Sequence, residues 1–226
     1  MNKNKSNILV LNPNSSCKVT ASIQQSIETS EVAQYAAFTY ECVKGAPVGI
    51  VTQHDADLAA VKMVEHLAEV NTDAVIVACF SDPGVLAAKE RVPYPVIGSG
   101  MAGIQMALTR GSRVGVIAVA EAAIPRHWRY WKTLGVDHAV ADEVPLNLTV
   151  EQSGNPELAL DRMVMAAGEL KAKGADVLLL GCAGMAGLRQ PLQEQTGLFV
   201  VEPCQAAAYL ALWQLSLGGL AGGSDA

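Results

Sequence analysis

The sequence predicts an α/β protein made of two similar halves, each a parallel four-stranded sheet flanked by helices, with the active site between them. Three observations carry this. Short runs of Val, Ile and Leu alternate with longer stretches of helical period, as strands buried beneath helices on both faces require. The order of elements then repeats, with equivalent elements about 103 to 106 residues apart. The closest echo is Asp73-Ala-Val-Ile-Val-Ala-Cys79 against Asp176-Val-Leu-Leu-Leu-Gly-Cys182, in each case an acidic turn, a buried strand and a cysteine at the strand's carboxyl end.

The first half, residues 1–100, opens with a strand over 8–11, followed by helical period over about 16–31. A strand near 36–43 and a helix over about 55–70 come next. Residues 74–78 form a buried strand, a short helix starts near Pro83, and 95–97 is the fourth strand. A helix over about 102–109 follows, and an exchange of helices between halves is compatible with this division. The second half, 101–226, repeats the order. Its strands fall at 114–119, 139–144, 176–180 and 198–201, and its helices at about 125–134, 155–173, from Ala186, and 203–217. The glycine-rich tail from Gly218 is expected to fray.

The 226 residues are 50% hydrophobic and 17% charged, enough to bury an aliphatic core and unlike a disordered chain. A net charge of −6 with interspersed signs offers no basic face to nucleic acid. No apolar run approaches the roughly 18 residues of a membrane span, and no apolar leader segment follows Lys3 and Lys5. The five cysteines, at positions 17, 42, 79, 182 and 204, are odd in number, widely spaced and never arranged as Cys-x-x-Cys. That spacing argues against a disulfide framework or zinc site and for a reducing cytoplasm. His54, His66, His127 and His138 are scattered without ligand spacing, so no metal is expected.

Ligands of open α/β sheets bind beyond the carboxyl ends of the strands, where Cys79 and Cys182 both stand. A thiolate is favoured beside free backbone N–H groups. Ser81 or Asp82 is placed to cap a helix after Cys79, with Pro83 in its first turn, and Ala183-Gly184 lets amides approach beside Cys182. Inverting a carbon next to a carbonyl needs one group to remove a proton and another to return one from the opposite face. Two facing thiols meet that need, one as base and one as acid, with nearby amides stabilising the enolate. Taken singly, either cysteine reads equally well as a small buried hydrophobe. Their matched positions favour chemistry. The first strand ends in Leu11-Asn12-Pro13-Asn14-Ser15-Ser16, which is either a plain turn or a loop pointing the Asn12 amide into the cleft; the second reading is preferred.

These residues resemble the hydantoin racemase family, which includes allantoin racemases, within the aspartate/glutamate racemase superfamily. The motifs are Ile8-Leu-Val-Leu-Asn-Pro-Asn-Ser-Ser16, Val77-Ala-Cys-Phe-Ser-Asp-Pro-Gly84 and Leu179-Leu-Gly-Cys-Ala-Gly-Met185, and the likeness covers nearly the whole chain. The resemblance implies flavodoxin-like halves, neither metal nor organic cofactor, and catalysis by Cys79 and Cys182. It also implies substrate contacts from Asn12, Phe80, Ser81, Ala183 and Gly184, and a loop at Pro47-Val48-Gly49-Ile50 that brings Ile50 over the substrate. The substrate it suggests is a small molecule, a 5-substituted hydantoin or allantoin. Three places depart from the family pattern: Gly98-Ser-Gly, where an acidic residue is usual; Ala118-Val119-Ala120, where threonine is usual; and Glu202-Pro203-Cys204. They bear on the choice of substrate rather than on the chemistry.

Rival readings exist. Gly98-Ser-Gly100-Met-Ala-Gly103 matches a dinucleotide fingerprint, with Glu121 some 18 residues on, which would suit an NAD-dependent dehydrogenase. That leaves the repeat and both cysteines unexplained. The same fold also suits an amino-acid racemase, a malonate decarboxylase or a maleate isomerase, and a non-enzymatic two-lobed binding protein is the remaining option. Arg126-His127-Trp128-Arg129-Tyr130-Trp131 reads as an amphipathic helix at the interface of a homo-oligomer, or less readily as a lid. Cys17 and Cys42 read as packing residues, and Cys204 as a possible lining residue of the cleft.

Overall fold

The structure, a computed structural model, describes residues 5–218. Strands β1 (Asn7–Asn12), β2 (Ala37–Cys42), β3 (Ala74–Val77) and β4 (Val96–Gly98) form one parallel sheet in the order β2-β1-β3-β4. Strands β5 (Val114–Ala118), β6 (Val140–Pro145), β7 (Val177–Leu180) and β8 (Phe199–Val201) form a second in the matching order β6-β5-β7-β8. The helices are α1 (Cys17–Glu28), α2 (Gln53–Leu67), α3 (Val85–Lys89), α4 (Ser99–Leu108), α5 (Ile124–Leu134), α6 (Pro156–Ala172), α7 (Arg189–Thr196) and α8 (Pro203–Gly218). The architecture read from the sequence is the one observed.

The central strands of the first sheet are covered on both faces. On β1 and β3, Ile8, Val10, Ala74 and Ile76 point into the large core shared with the second half, while Leu9, Leu11, Val75 and Val77 meet α2 and α3 in a smaller one. Strands buried on both sides therefore carry apolar residues continuously instead of alternating. The repeated acidic turns have one job. Asp73 accepts the Asn7 N–H at 2.7 Å, and Asp176 accepts the Arg113 N–H at 2.9 Å, each fixing the start of the neighbouring strand.

Caps set the helix ends. Thr52 and Asp55 make a reciprocal capping box on α2, Asn155 accepts from Glu157 N–H ahead of Pro156 on α6, and Gly135 closes α5 in the left-handed region. The helix following each sheet packs on the other sheet. α4 lies against β7 and β8, α8 lies against β3 and β4, and the two helices pack on each other.

Several helix boundaries shift by two or three residues from the sequence reading, as α1 and α2 do at their ends, and three helix starts differ for an identifiable reason. The helix expected near Pro83 begins at Val85, because Asp82 (φ +48°) and Gly84 (φ +70°) hold left-handed turn geometry. The helix expected from Ala186 is a tight 3-10 turn over Ala183–Leu188, and α-helix begins only at Arg189. The helix expected at 102 begins at Ser99, since a carboxylate from a distant loop caps it. α8 is described as far as Gly218, and the rest of the tail expected to fray lies outside the described residues. Among the described residues no helix is long and apolar enough to cross a membrane.

Candidate active site

Cys79 and Cys182 stand two residues beyond the ends of β3 and β7, and both line one small cavity. The positions correspond through the backbone: Ala78 N–H bonds to Leu11 O at 2.9 Å, and Gly181 N–H bonds to Ile117 O at 2.8 Å. Gly181 is required there, because a Cβ would come within 2.6 Å of the Ile117 carbonyl oxygen. Each sulfur meets the residue two positions on: Cys182 accepts from the Gly184 N–H at 3.4 Å, and Cys79 lies 3.9 Å from the Ser81 hydroxyl. Ser153 Oγ lies 3.8 Å from the Cys182 sulfur and 2.8 Å from the Val150 carbonyl, so its single proton chooses between them.

Burial pushes the Cys79 thiol up, against the pull of the Ser81 N–H and the Arg126 charge. Burial also pushes Cys182 up to about 11, with a negative charge on Cys79 adding to the rise and the Gly184 N–H and Ser153 hydroxyl opposing it. The two thiols thus sense each other across the cavity. Both ionising together is disfavoured, and one thiolate beside one thiol is the preferred charged state.

The sequence-predicted contacts divide. Ile50, Phe80, Ser81 and Ala183 line the cavity with the cysteines. Gly184 does not; its N–H faces the Cys182 sulfur and its carbonyl accepts from Ser22. Asn12 does not line the cavity either. It is 1% exposed, and its amide nitrogen donates to Asn14 Oδ1, Ser16 O and Thr20 Oγ1 while its oxygen accepts from Asn14 N–H. The amide is thus turned into its own loop, and Asn14 is the member of that loop on the cavity wall. Cys204 is not on the cavity wall; it is fully buried at the start of α8, where its N–H donates to Glu202.

Arg126 and His127 on α5 complete the wall, and the sequence reading had assigned them to an interface or lid. The inward face of α5 is core. Trp131 is fully buried, its ring and that of His127 meet Phe80 edge-on at 5.3 and 5.0 Å, and Glu143 on β6 takes both polar ends. Trp131 Nε1 donates to Glu143 Oε1 at 2.6 Å, and His127 Nδ1 lies 2.8 Å from Oε2. Arg126 is 7% exposed; its terminal nitrogen donates to Val51 O at 3.4 Å, and its Nε meets no partner among the described residues. With Ser81 it separates the cavity, of about 30 Å³, from a groove of about 650 Å³ lined by Gln53, Asp82, Met101 and Tyr130.

The glycines of the dinucleotide-like motif serve the chain itself. Asp82 accepts from Gly100 N–H (2.8 Å), Met101 N–H (2.7 Å) and Tyr130 OH (2.6 Å), so the α4 N-terminus that would hold a pyrophosphate already holds a carboxylate. Burial pushes Asp82 up to about 6 against these three donors. A Cβ on Gly98 would fall 2.3 Å from the Asp82 carboxyl carbon, and one on Gly100 would fall 2.0 Å from the Phe80 carbonyl oxygen. Gly100→Ala is therefore expected to displace the Phe80–Asp82 turn and to cost about 1–3 kcal/mol, as overpacking does. Thermal denaturation reads this, and an unchanged midpoint would refute the packing account.

Fold and cavity together define a two-lobed α/β protein that presents one thiol from each lobe to a single cavity. The chain belongs to the Asp/Glu/hydantoin racemase family, whose model matches residues 8–211. A hydantoin racemase of Rhizobium meliloti is 30% identical over 219 residues, which make up 93% of this chain and 89% of that protein. Another, of Paenarthrobacter aurescens, is 29% identical over 222 residues, covering 93% and 92%. Among solved structures, the allantoin racemase from Klebsiella pneumoniae superposes with a TM-score of 0.88 at 27% identity, covering 94% of this chain and 89% of its own.

Proposed function

We propose that this protein is a cofactor-independent racemase that inverts the carbon next to a carbonyl in a small substrate, a 5-substituted hydantoin or allantoin, through Cys79 and Cys182. The observation that carries the proposal is the pair of equivalent strand-end thiols on one cavity. One thiolate removes the α-proton, the electrons pass to the adjacent carbonyl oxygen as an enolate, and the opposite thiol returns a proton to the other face. The thiolate and thiol have then exchanged roles, and no proton is gained or lost. The enolate forms beside Arg126, a buried cation with a free N–H, in a space where such charge is weakly screened.

The names of the relatives support the substrate class. Val119, where the resemblance leads one to expect threonine nearby, gives the wall an apolar face, and the groove beyond Arg126 offers room for a ring substituent. A homo-oligomer belongs to this reading: Tyr209, Trp213 and Leu217 form an exposed apolar stripe along α8. So does a cytoplasmic location, where cavity thiols stay reduced.

Chiral analysis of enantiopure 5-substituted hydantoins, allantoin and amino acids is the test, with hydantoins or allantoin expected to racemise. The rate should also depend on pH in one direction. Both thiols titrate above their ordinary values, so the reactive thiolate becomes more populated as pH rises from 7 to 9, and kcat/KM should climb. Silence across the panel would remove the substrate claim; a rate that falls over that interval would remove the thiolate base.

A further inference from the structure

Cys17 and Cys42 take no part in this chemistry, yet the fold brings them together. Cys17 is the first residue of α1 and is exposed; Cys42 is the half-buried last residue of β2 and pairs across the sheet with Asn12. Their sulfurs lie 3.8 Å apart, although the residues are 25 positions apart in the chain. A disulfide needs an approach to about 2.05 Å, a closure within reach of side-chain rotation at an exposed helix start. The two thiols bracket the loop between β1 and α1. Val43 N–H, one residue past Cys42, reaches the carbonyls of both Asn12 and Asn14 at 3.1 Å, and Asn12 Nδ2 reaches Thr20 Oγ1 on α1 at 3.0 Å. Asn14 is the part of that loop on the cavity wall.

We propose that Cys17 and Cys42 are a redox-modification site, closed to a disulfide by a peroxide, and that the bridge fixes the loop presenting Asn14. The Cys17 thiolate attacks one peroxide oxygen, the O–O bond breaks, and Cys17 becomes a sulfenic acid as water leaves. Cys42 attacks that sulfur, the S–O bond breaks and a second water leaves. The two sulfurs lose two electrons, the peroxide gains two, and both thiol protons end in water. Exchange with a small dithiol reverses the step. The inference does not depend on the proposed racemisation.

The test treats the full chain with hydrogen peroxide, digests it without reduction, and maps linked peptides by mass spectrometry. A peptide pair joining Cys17 to Cys42, two hydrogens lighter than its parts and separated by dithiothreitol, is expected in the parent and in Cys79→Ala. It should be lost in Cys17→Ser. Amide exchange over residues 12–16 should slow in the bridged form. Recovery of both thiols free, or of Cys17 oxidised alone, would overturn the site. A bridge without slower exchange would overturn the clamp.

Discussion

In deuterated water, Cys182→Ala should incorporate solvent deuterium into one enantiomer of the substrate without inverting it, and Cys79→Ala should do the same to the mirror form. Each variant keeps one thiol on one side of the cavity. The remaining thiolate removes the hydrogen that faces it, exchanges with solvent and returns a deuteron from the same side. Net racemisation should fall by about 10²–10⁴-fold in both, the usual worth of a positioned acid or base. The outcome separates two facing thiols from every scheme that uses one. A single working cysteine would leave one variant nearly unimpaired, and a binding protein would show exchange in neither form nor in the parent. Exchange of both enantiomers by one variant would also sink the assignment, because it would place a second base in the cavity. Circular dichroism of each variant checks that the fold persists, since removing one sulfur leaves the strand ladders of β3 and β7 untouched.

Glu143→Ala should destabilise the protein by about 2–6 kcal/mol, because two buried donors each lose their acceptor at about 1–3 kcal/mol apiece. Glu143 is almost wholly enclosed, and it satisfies both the Trp131 indole N–H and His127 Nδ1. Removing it strands two donors beneath α5, where no water replaces it cheaply. At about 2–4 °C per kcal/mol for a chain of this size, the denaturation midpoint should drop by roughly 10 °C. Glu143→Gln is the instructive partner. Its carbonyl can still accept from Trp131, but its amide then faces His127 Nδ1 as a donor and turns the imidazole into the other tautomer. That variant should recover most of the stability while altering kcat more than KM, since His127 borders the cavity. A loss below about 1 kcal/mol in Glu143→Ala would show that α5 is held by its apolar face alone.

The sequence made the strands, their duplication and the two cysteines legible because each depends on local pattern: an apolar run, an acidic turn, a residue at a strand end. What it concealed depends on partners far away in the chain. Nothing near Asn12 says whether its amide faces a ligand or folds back, and the answer lies with Thr20 and Asn14. The glycines at 98 and 100 fit a phosphate and a neighbouring carboxylate equally well, and only the arrival of Asp82 decides between them. For α5 the periodicity marks an amphipathic helix without naming what it covers; Phe80, more than forty positions earlier, is the cover. The Cys17–Cys42 approach was hidden for the same reason.

The exchange of α4 and α8 between the sheets has a consequence for how a ligand gets in. At about 30 Å³ the cavity has space for a water molecule or two and not for a heterocycle, so some wall must yield. The lobes are not free to swing apart like a clam shell, because that motion would strip each crossed helix from the sheet it covers. Entry is therefore expected through the connecting segments that carry Asn14, Ile50, Ala123 and Val150, with both sulfurs held just beyond the ends of β3 and β7.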